Sequence, residues 1–236
     1  MTLKLGLPSK GRLMEQSFDW FSQRGITLSH DKASREYAAE ASGVDGLQIV
    51  LLSAGEIPRE LAAGRIQLGV TGTDLVREKL PLWSSSVTPL VEMGFGHADL
   101  IIAVPDFWAD VRSLDDLDAV AAQFRARHGM RLRIATKYHR LVRTHLTDNG
   151  VADYQIVDSQ GATEGTIKNL TAEAIADITT TGETLQANHL RVLDGAPILR
   201  SQATLFASRK ADWSALDTGF SALLKTLGLP YPSDLQ

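Results

Sequence analysis

Apolar and polar residues alternate from Leu3 to Leu7, a period of two that predicts a β-strand, and the pattern breaks at Pro8-Ser9-Lys10-Gly11-Arg12. Leu13, Ser17, Trp20 and Phe21 then follow at helical spacing until Gly25 ends the segment. The same succession of strand, short polar turn and helix recurs along the chain. Arg35 to Ala41 and Leu47 to Leu52 predict two strands joined by a turn-rich loop. Ser53 to Pro58 opens a short helix that Gly64 stops. A strand at Ile66 to Val70 meets the turn Thr71-Gly72-Thr73-Asp74 and a helix from Leu75 to Lys79. Leu90 to Phe95 and Leu100 to Val104 are β-like, with His97 in the loop between them.

Ser113 and Asp116 have the spacing of a capping box. Leu114, Leu117, Val120, Ala121 and Phe124 make the following helix amphipathic. A strand at Leu132 to Ala135 leads through Thr136-Lys137-Tyr138 into a helix closed by Gly150, and Tyr154 to Val157 is the next strand. Ala176-Asp177-Ile178-Thr179-Thr180-Thr181-Gly182-Glu183-Thr184 reads as a strand that ends in an acid and turns into a helix at Leu185-Gln186-Ala187. Leu190 to Leu193 and Ala203 to Ala207 predict further strands. A last helix, Asp212 to Leu227, carries Trp213, Leu216, Phe220, Leu223, Leu224 and Leu227 on one face. Strands alternating with helices argue for an α/β fold with mostly parallel sheets. In such sheets the polar turns gather at the carboxyl edge of the strands, where ligands bind. If the turns belong to two lobes, the ligand lies between them.

Composition narrows the choice of chemistry. The chain has 236 residues, enough for one large domain or two small ones. Its net charge of −4, with Lys and Arg scattered, argues against a nucleic-acid platform. No cysteine is present, which excludes disulfides, thiolate metal sites and a Cys nucleophile. No apolar run is long enough to span a bilayer, and the first residues lack the apolar core of a secretion signal, so a cytoplasmic protein is expected.

The turn after Asp177 offers Thr180, Thr181, Gly182 and Thr184, whose hydroxyls and backbone N–H groups suit a phosphate dianion. Asp177, just before it, suits ribose hydroxyls, so the stretch points to a sugar phosphate. It also reads as an ordinary Thr-rich turn and helix cap. Lys10 and Arg12 sit in a strand-to-helix turn where cations meet an anion, or they are two solvated surface charges. Gly6-x4-Gly11 has the spacing of a Walker A loop, but Arg12-Leu13 stands where Lys-Ser/Thr is required, and the P-loop reading fails.

Five segments in order along nearly the whole chain carry a resemblance: LGLPSKGRL (5–13), LGVTGTDLV (68–76), MGFGHADLIIAVP (93–105), RIATKYHRLVR (133–143) and ADITTTGETLQANHL (176–190). The chain resembles ATP phosphoribosyltransferase, the enzyme family that opens histidine biosynthesis. Gly161-Ala162-Thr163-Glu164 also fits, although Gly165-Thr166-Ile167 replaces the Val-Ala-Pro more usual in the family. The resemblance implies a two-lobed fold like the type II periplasmic binding proteins, with the active site in the cleft. Lobe I would span 1–97 and be completed by 205–236, and lobe II would span 98–204.

The reaction implied transfers the 5-phosphoribosyl group from phosphoribosyl pyrophosphate to N1 of ATP and releases pyrophosphate. By matching positions, Thr180, Thr181, Gly182 and Thr184 would cradle the 5′-phosphate, and Glu164 and Asp177 would accept from the ribose hydroxyls. Lys10, Arg12 and Arg35 would act catalytically on the pyrophosphate and triphosphate. Ser53, Gly72 and Asp74 would shape the nucleotide side. Mg2+ would ride on substrate phosphates with few or no protein ligands. The chain is similar to the family's short form, which lacks the C-terminal histidine-binding domain. That likeness implies a homodimer of basal activity, assembling with a histidyl-tRNA-synthetase-like regulatory subunit that raises turnover and confers histidine inhibition.

Two other readings compete. One is a non-catalytic bilobal module that binds a phosphorylated ligand. The other is a phosphoribosyltransferase acting on a free base, because Asp177-x-x-x-Thr181-Gly182-x-Thr184 resembles the sugar-phosphate loop of that larger group. Ala176-Asp177, in place of an acidic pair, counts against it.

Overall fold

The alternating N-terminal segment forms strand β1 (Leu3–Pro8), and the chain turns at Ser9-Lys10 into helix α1 (Gly11–Ser22). Ser17 is tolerated on the buried face of α1 because its hydroxyl donates to the Leu13 carbonyl at 2.6 Å. After α1 come β2 (Thr27–Ser29), β3 (Ala38–Ser42), β4 (Leu47–Leu52) and α2 (Ile57–Ala62). Next are β5 (Leu68–Gly72), α3 (Thr73–Lys79), α4 (Trp83–Ser86) and β6 (Val87–Glu92). The chain then forms β7 (Ala98–Pro105), α5 (Leu114–His128), β8 (Leu132–Thr136), α6 (His139–Asp148) and β9 (Tyr154–Asp158). It continues with α7 (Gly165–Lys168), β10 (Ala174–Thr179), α8 (Glu183–Ala187), β11 (Leu190–Val192) and β12 (Leu199–Ser201), and returns as β13 (Ala203–Ser208) and α9 (Asp217–Leu227). The computed structural model describes residues 2–29, 38–159 and 161–235.

Two units result: Met1–His97 together with Gln202–Gln236, and Ala98–Ser201. The chain thus re-enters the first unit at Gln202, since β13 begins at Ala203 and pairs with β5 and β6. The first unit holds a sheet of order β2-β3-β4-β1-β5-β13-β6. Its central strands β4, β1 and β5 are parallel, which brings their carboxyl ends to one edge. Both faces are covered. Trp20 and Phe21 of α1 and Phe220, Leu223 and Leu224 of α9 pack on one side. Ile57 and Leu61 of α2 and Val76 of α3 pack with Phe206 on the other. Burial on two sides explains why β13 (ATLFAS) is buried along its whole length rather than alternating.

The second unit holds a sheet of order β11-β7-β10-β8-β9, with β12 also on β7. Here β9, β8 and β10 are parallel, whereas β7 runs antiparallel to β10, β11 and β12. Both sheets are therefore mixed, not mostly parallel: hydrophobic pattern finds strands but carries no direction. The capping box at α5 forms as its spacing predicts. The Ser113 hydroxyl accepts from the Asp116 N–H at 3.2 Å, and the Asp116 carboxylate accepts from the Ser113 N–H at 2.8 Å. Hydrogen bonds to that carboxylate from the Ser113 N–H, the Ser113 hydroxyl and the Arg112 N–H hold the Asp116 carboxyl below the usual carboxylate range.

Two predicted elements shift. The strand expected at Leu90 to Phe95 is β6, Val87–Glu92, because Gly94 and Gly96 take positive φ and turn the chain. The last helix starts at Asp217, not Asp212. The Ser214 hydroxyl instead bonds the Asp212 carboxylate at 2.6 Å, and the buried Trp213 indole donates to the Ser208 carbonyl at 2.8 Å.

One turn depends on glycine for two reasons at once. Gly43 lies at φ 104°, and a Cβ there would run into the carbonyl oxygen of Gly25. Both partners are backbone, so neither can rotate away. Gly43→Ala is expected to destabilise the chain by about 2–3 kcal/mol, read from denaturant unfolding. A loss below about 0.5 kcal/mol would show that the turn relaxes without the glycine.

Candidate functional site

The parallel strands of the first sheet deliver three predicted turns to one edge. Lys10 and Arg12 follow β1, Ser53 follows β4, and Gly72 to Asp74 follow β5. The Ser9 N–H donates to the Leu52 carbonyl at 2.8 Å, and the Thr71 hydroxyl donates to the Ala54 carbonyl at 2.9 Å. These bonds stitch the turns together. Lys10 is the residue preceding α1, its extended backbone carries no side-chain cap, and the first turn of α1 has no acid. Lys10 and Arg12 are both exposed, so two cations stand beside an uncapped helix N-terminus. Arg35 lies outside the described residues.

The other two turns of this edge are held by their own side chains. The Ser53 N–H donates to Glu56 Oε2 at 3.0 Å. Hydrogen bonds from the Ser53 hydroxyl and N–H hold the Glu56 carboxyl below its ordinary range. Ser53 is thus the opening of the turn that starts α2. Gly72 precedes α3, and Asp74 is buried in the first turn of that helix. The Thr73 N–H reaches back to the Gln202 carbonyl at 3.2 Å, which ties this turn to the returning chain.

In the second unit the turn after β10 and the residue before α7 meet. Glu164, Asp177, Thr180, Thr181 and Thr184 line one pocket of about 320 Å³, together with Thr179 and Glu183. Asp177 stands near the carboxyl end of β10, opposite Ile101 of β7, and is half-buried. Its Oδ1 accepts from the Ile178 N–H at 2.8 Å, which turns the carboxylate along the strand end. Glu164 is brought in by a local structure of the preceding loop. Thr163 is fully buried and accepts at Oγ1 from the Ser159 hydroxyl at 3.0 Å, while the Thr166 hydroxyl donates to the Thr163 carbonyl at 2.6 Å.

Gly182 takes φ 76° immediately before α8. Sequence led to the expectation of open backbone donors in this turn, and the structure corrects it. The Gly182 N–H donates to Thr179 Oγ1 at 3.0 Å, and the Glu183 N–H donates to Thr181 Oγ1 at 3.4 Å. Thr179 therefore shapes the turn, a role the run Thr179-Thr180-Thr181 carries in its spacing and that attention to the later threonines passes over. Gly182 itself faces a neighbouring pocket of about 660 Å³, which it shares with Thr179 to Thr181, Asp99 and His145. Burial pushes the His145 imidazole below its ordinary value, against the opposing pull of Asp148.

The pocket's donor set is oxygen only: the Glu164, Asp177 and Glu183 carboxylates and the threonine hydroxyls. Among the described residues no group of three or more His, Asp or Glu side chains is placed to hold a metal ion, and no helix is long and apolar enough to cross a membrane. Chemically, the arrangement suits a ligand with hydroxyls for the carboxylates and an anionic group for the threonines.

A family model described as HisG: ATP phosphoribosyltransferase matches residues 53–227. An ATP phosphoribosyltransferase from Cereibacter sphaeroides is 68% identical over 235 residues, spanning 100% of either chain. Among solved structures, the ATP phosphoribosyl transferase (HisG:HisZ) complex from Thermotoga maritima matches with TM-score 0.71 at 20% identity, covering 96% of each chain. An ABC-transporter choline binding protein in complex with choline matches with TM-score 0.53 at 11% identity, over 91% of this chain and 73% of that one. At those identities the structural likenesses speak for the fold alone: an α/β chain of two units, as in HisG and in type II periplasmic binding proteins.

Proposed function

The chain belongs to the ATP phosphoribosyltransferase family, and from that premise we propose how its residues divide the work. The protein is a pentosyltransferase of the first step of histidine biosynthesis. In the reaction, N1 of the ATP adenine attacks C1 of phosphoribosyl pyrophosphate. The N1 lone pair forms the new C–N bond, and the electron pair of the broken C1–O bond leaves with pyrophosphate. The nucleophile is a neutral ring nitrogen, so the protein need supply no nucleophile of its own. Its task is to position both substrates and to neutralise the leaving group.

The observation that carries this reading is the convergence of Glu164 with Asp177, Thr180, Thr181 and Thr184 on one pocket. In our proposal the two carboxylates accept from the ribose hydroxyls and the threonines, with the Gly182 turn, cradle the 5′-phosphate. A phosphate arriving there exchanges the intraloop bonds of Thr179 and Thr181 for its own oxygens, freeing those hydroxyls and N–H groups as donors. Lys10, Arg12 and Arg35 face pyrophosphate and triphosphate, and Gly72 and Asp74 shape the nucleotide side. Ser53 contributes there through the turn it holds with Glu56. Hard carboxylate and hydroxyl oxygens suit magnesium held chiefly by substrate phosphates and water. When bound, that ion supplies charge neutralisation on pyrophosphate. We place the enzyme in the cytoplasm as a homodimer, assembling with a HisZ-like subunit related to histidyl-tRNA synthetases.

Mixing the purified protein with ATP, phosphoribosyl pyrophosphate and Mg2+ should release pyrophosphate and change the adenine absorbance, whereas free bases should not react. Absence of product with ATP, or product with a free base instead, would overturn the assignment of acceptor. In the same assay Arg12→Ala should lower kcat more than it weakens ATP, because charge on the leaving group grows toward the transition state. Unchanged kcat with a raised KM would mark Arg12 as a ground-state binder.

A further inference from the structure

At the amino edge of the second sheet, away from the turn after β10, three arginines converge. Arg131 immediately precedes β8, Arg125 lies in the last turn of α5, and Arg143 lies on α6. With Thr147, Tyr154 and Ile156 they line a pocket of about 750 Å³. Its one lining carboxylate, Asp153, is already paired with Arg125. Among the described residues, the side chains of Arg131 and Arg143 make no hydrogen bond or ion pair, so the pocket holds two uncompensated guanidinium groups in a chain of net charge −4. Converging forks with no partner are the geometry that binds phosphoryl oxygens bidentately.

Strand β9 adds to the same wall. It is the outer strand of its sheet. The Leu132 N–H donates to the Asp153 carbonyl and the Ser159 N–H to the Thr136 carbonyl, so odd-numbered residues of β9 bond inward. Ile156 therefore turns its backbone groups outward beside the arginines.

We propose that this pocket is a second oligophosphate site, separate from the substrate pocket, that binds a di- or triphosphate group through Arg131 and Arg143 with Arg125 at its rim. The ligand is either an inorganic oligophosphate or the phosphate tail of a nucleotide, with Tyr154 and Ile156 available to the base. The β8 and β9 strands separate this edge from the carboxyl edge by roughly 15 Å, so one ligand does not occupy both. The inference stands apart from the assignment of Asp177 and its neighbours, since it uses none of those residues.

Calorimetric titration of tripolyphosphate into the full chain should show two sites per chain. The double variant Arg131→Ala with Arg143→Ala should keep one, with the other weakened at least tenfold and turnover at saturating substrate unchanged. Arg127→Ala, an exposed arginine outside the pocket, should keep both. ATP binding the arginine site tenfold more tightly than tripolyphosphate would identify a nucleotide as the ligand; equal affinity would identify an inorganic oligophosphate. The proposal is overturned if the double variant retains both sites, or if Arg127→Ala loses as much. A glutamate-rich peptide binding there as tightly as tripolyphosphate would overturn it too, because the surface would then be a protein contact.

Discussion

Replacing Asp177 by Asn is expected to raise the KM for phosphoribosyl pyrophosphate about tenfold to hundredfold while leaving the fold intact. A hydrogen bond from a ribose hydroxyl to a carboxylate is charge-assisted, and removing the charge costs about 1.5–3 kcal/mol. The structure gives reasons for the upper part of that range. Asp177 is half-buried near the end of β10, and its carboxylate is turned along the strand by the Ile178 N–H. It meets a ligand already oriented and pays little entropy to do so. Asn keeps the size and can still accept from Ile178, so the unfolding free energy should move by less than about 0.5 kcal/mol. Steady-state kinetics over a range of phosphoribosyl pyrophosphate, with denaturant unfolding of the same preparation, decides the matter. An unchanged KM in a well-folded variant would remove Asp177 from the sugar site.

That prediction draws on residues legible in the sequence, and the reasons are local. An acid near a strand end, followed by hydroxyls and a glycine, specifies a turn by its own chemistry; β10 runs two residues past Asp177, to Thr179, and the turn then forms with Gly182 before α8. The capping box at Ser113 is legible for the same reason: its partners are three residues apart and need nothing from the rest of the chain. What escaped prediction depends on neighbours distant in sequence. The three-residue strands β2 and β12 are too short to show a period, and they exist because β3 and β7 offer edges to them. The antiparallel direction of β7 is set by where the chain must go next. Trp213 has the spacing of the last helix, yet its indole is held by the Ser208 carbonyl before that helix begins. At the site, Glu164, Asp177, Thr180, Thr181 and Thr184 share a pocket while Gly182 faces the neighbouring one, and the occupation of the turn's N–H groups by Thr179 and Thr181 is a matter of rotamers. Spacing does not encode that.

Phe206→Ala is expected to cost about 3–5 kcal/mol of stability, a large share of the 5–15 kcal/mol typical of a folded chain. Phe206 is 1% exposed and packs with Ile57, Leu61, Ile66 and Val76. It sits at the middle of β13, opposite Gly69 of β5 and Pro89 of β6. Gly69 leaves no slack to refill the space, because a Cβ there would already meet Ile57 and Leu61. The cavity left by truncation should therefore persist rather than collapse. The consequence reaches the site through topology. β13 arrives from the far end of the chain and inserts between β5 and β6, and β5 carries the turn of Gly72 and Asp74. Loosening β13 should thus lower turnover at temperatures where the wild-type chain is intact. Phe206→Leu, which keeps most of the volume, should lose less than about 1.5 kcal/mol, and Leu82→Ala, at a side chain 74% exposed, should lose almost nothing. Denaturant unfolding of the three variants tests this order. A loss below about 1 kcal/mol for Phe206→Ala would mean that the returning strand does not hold the first sheet together.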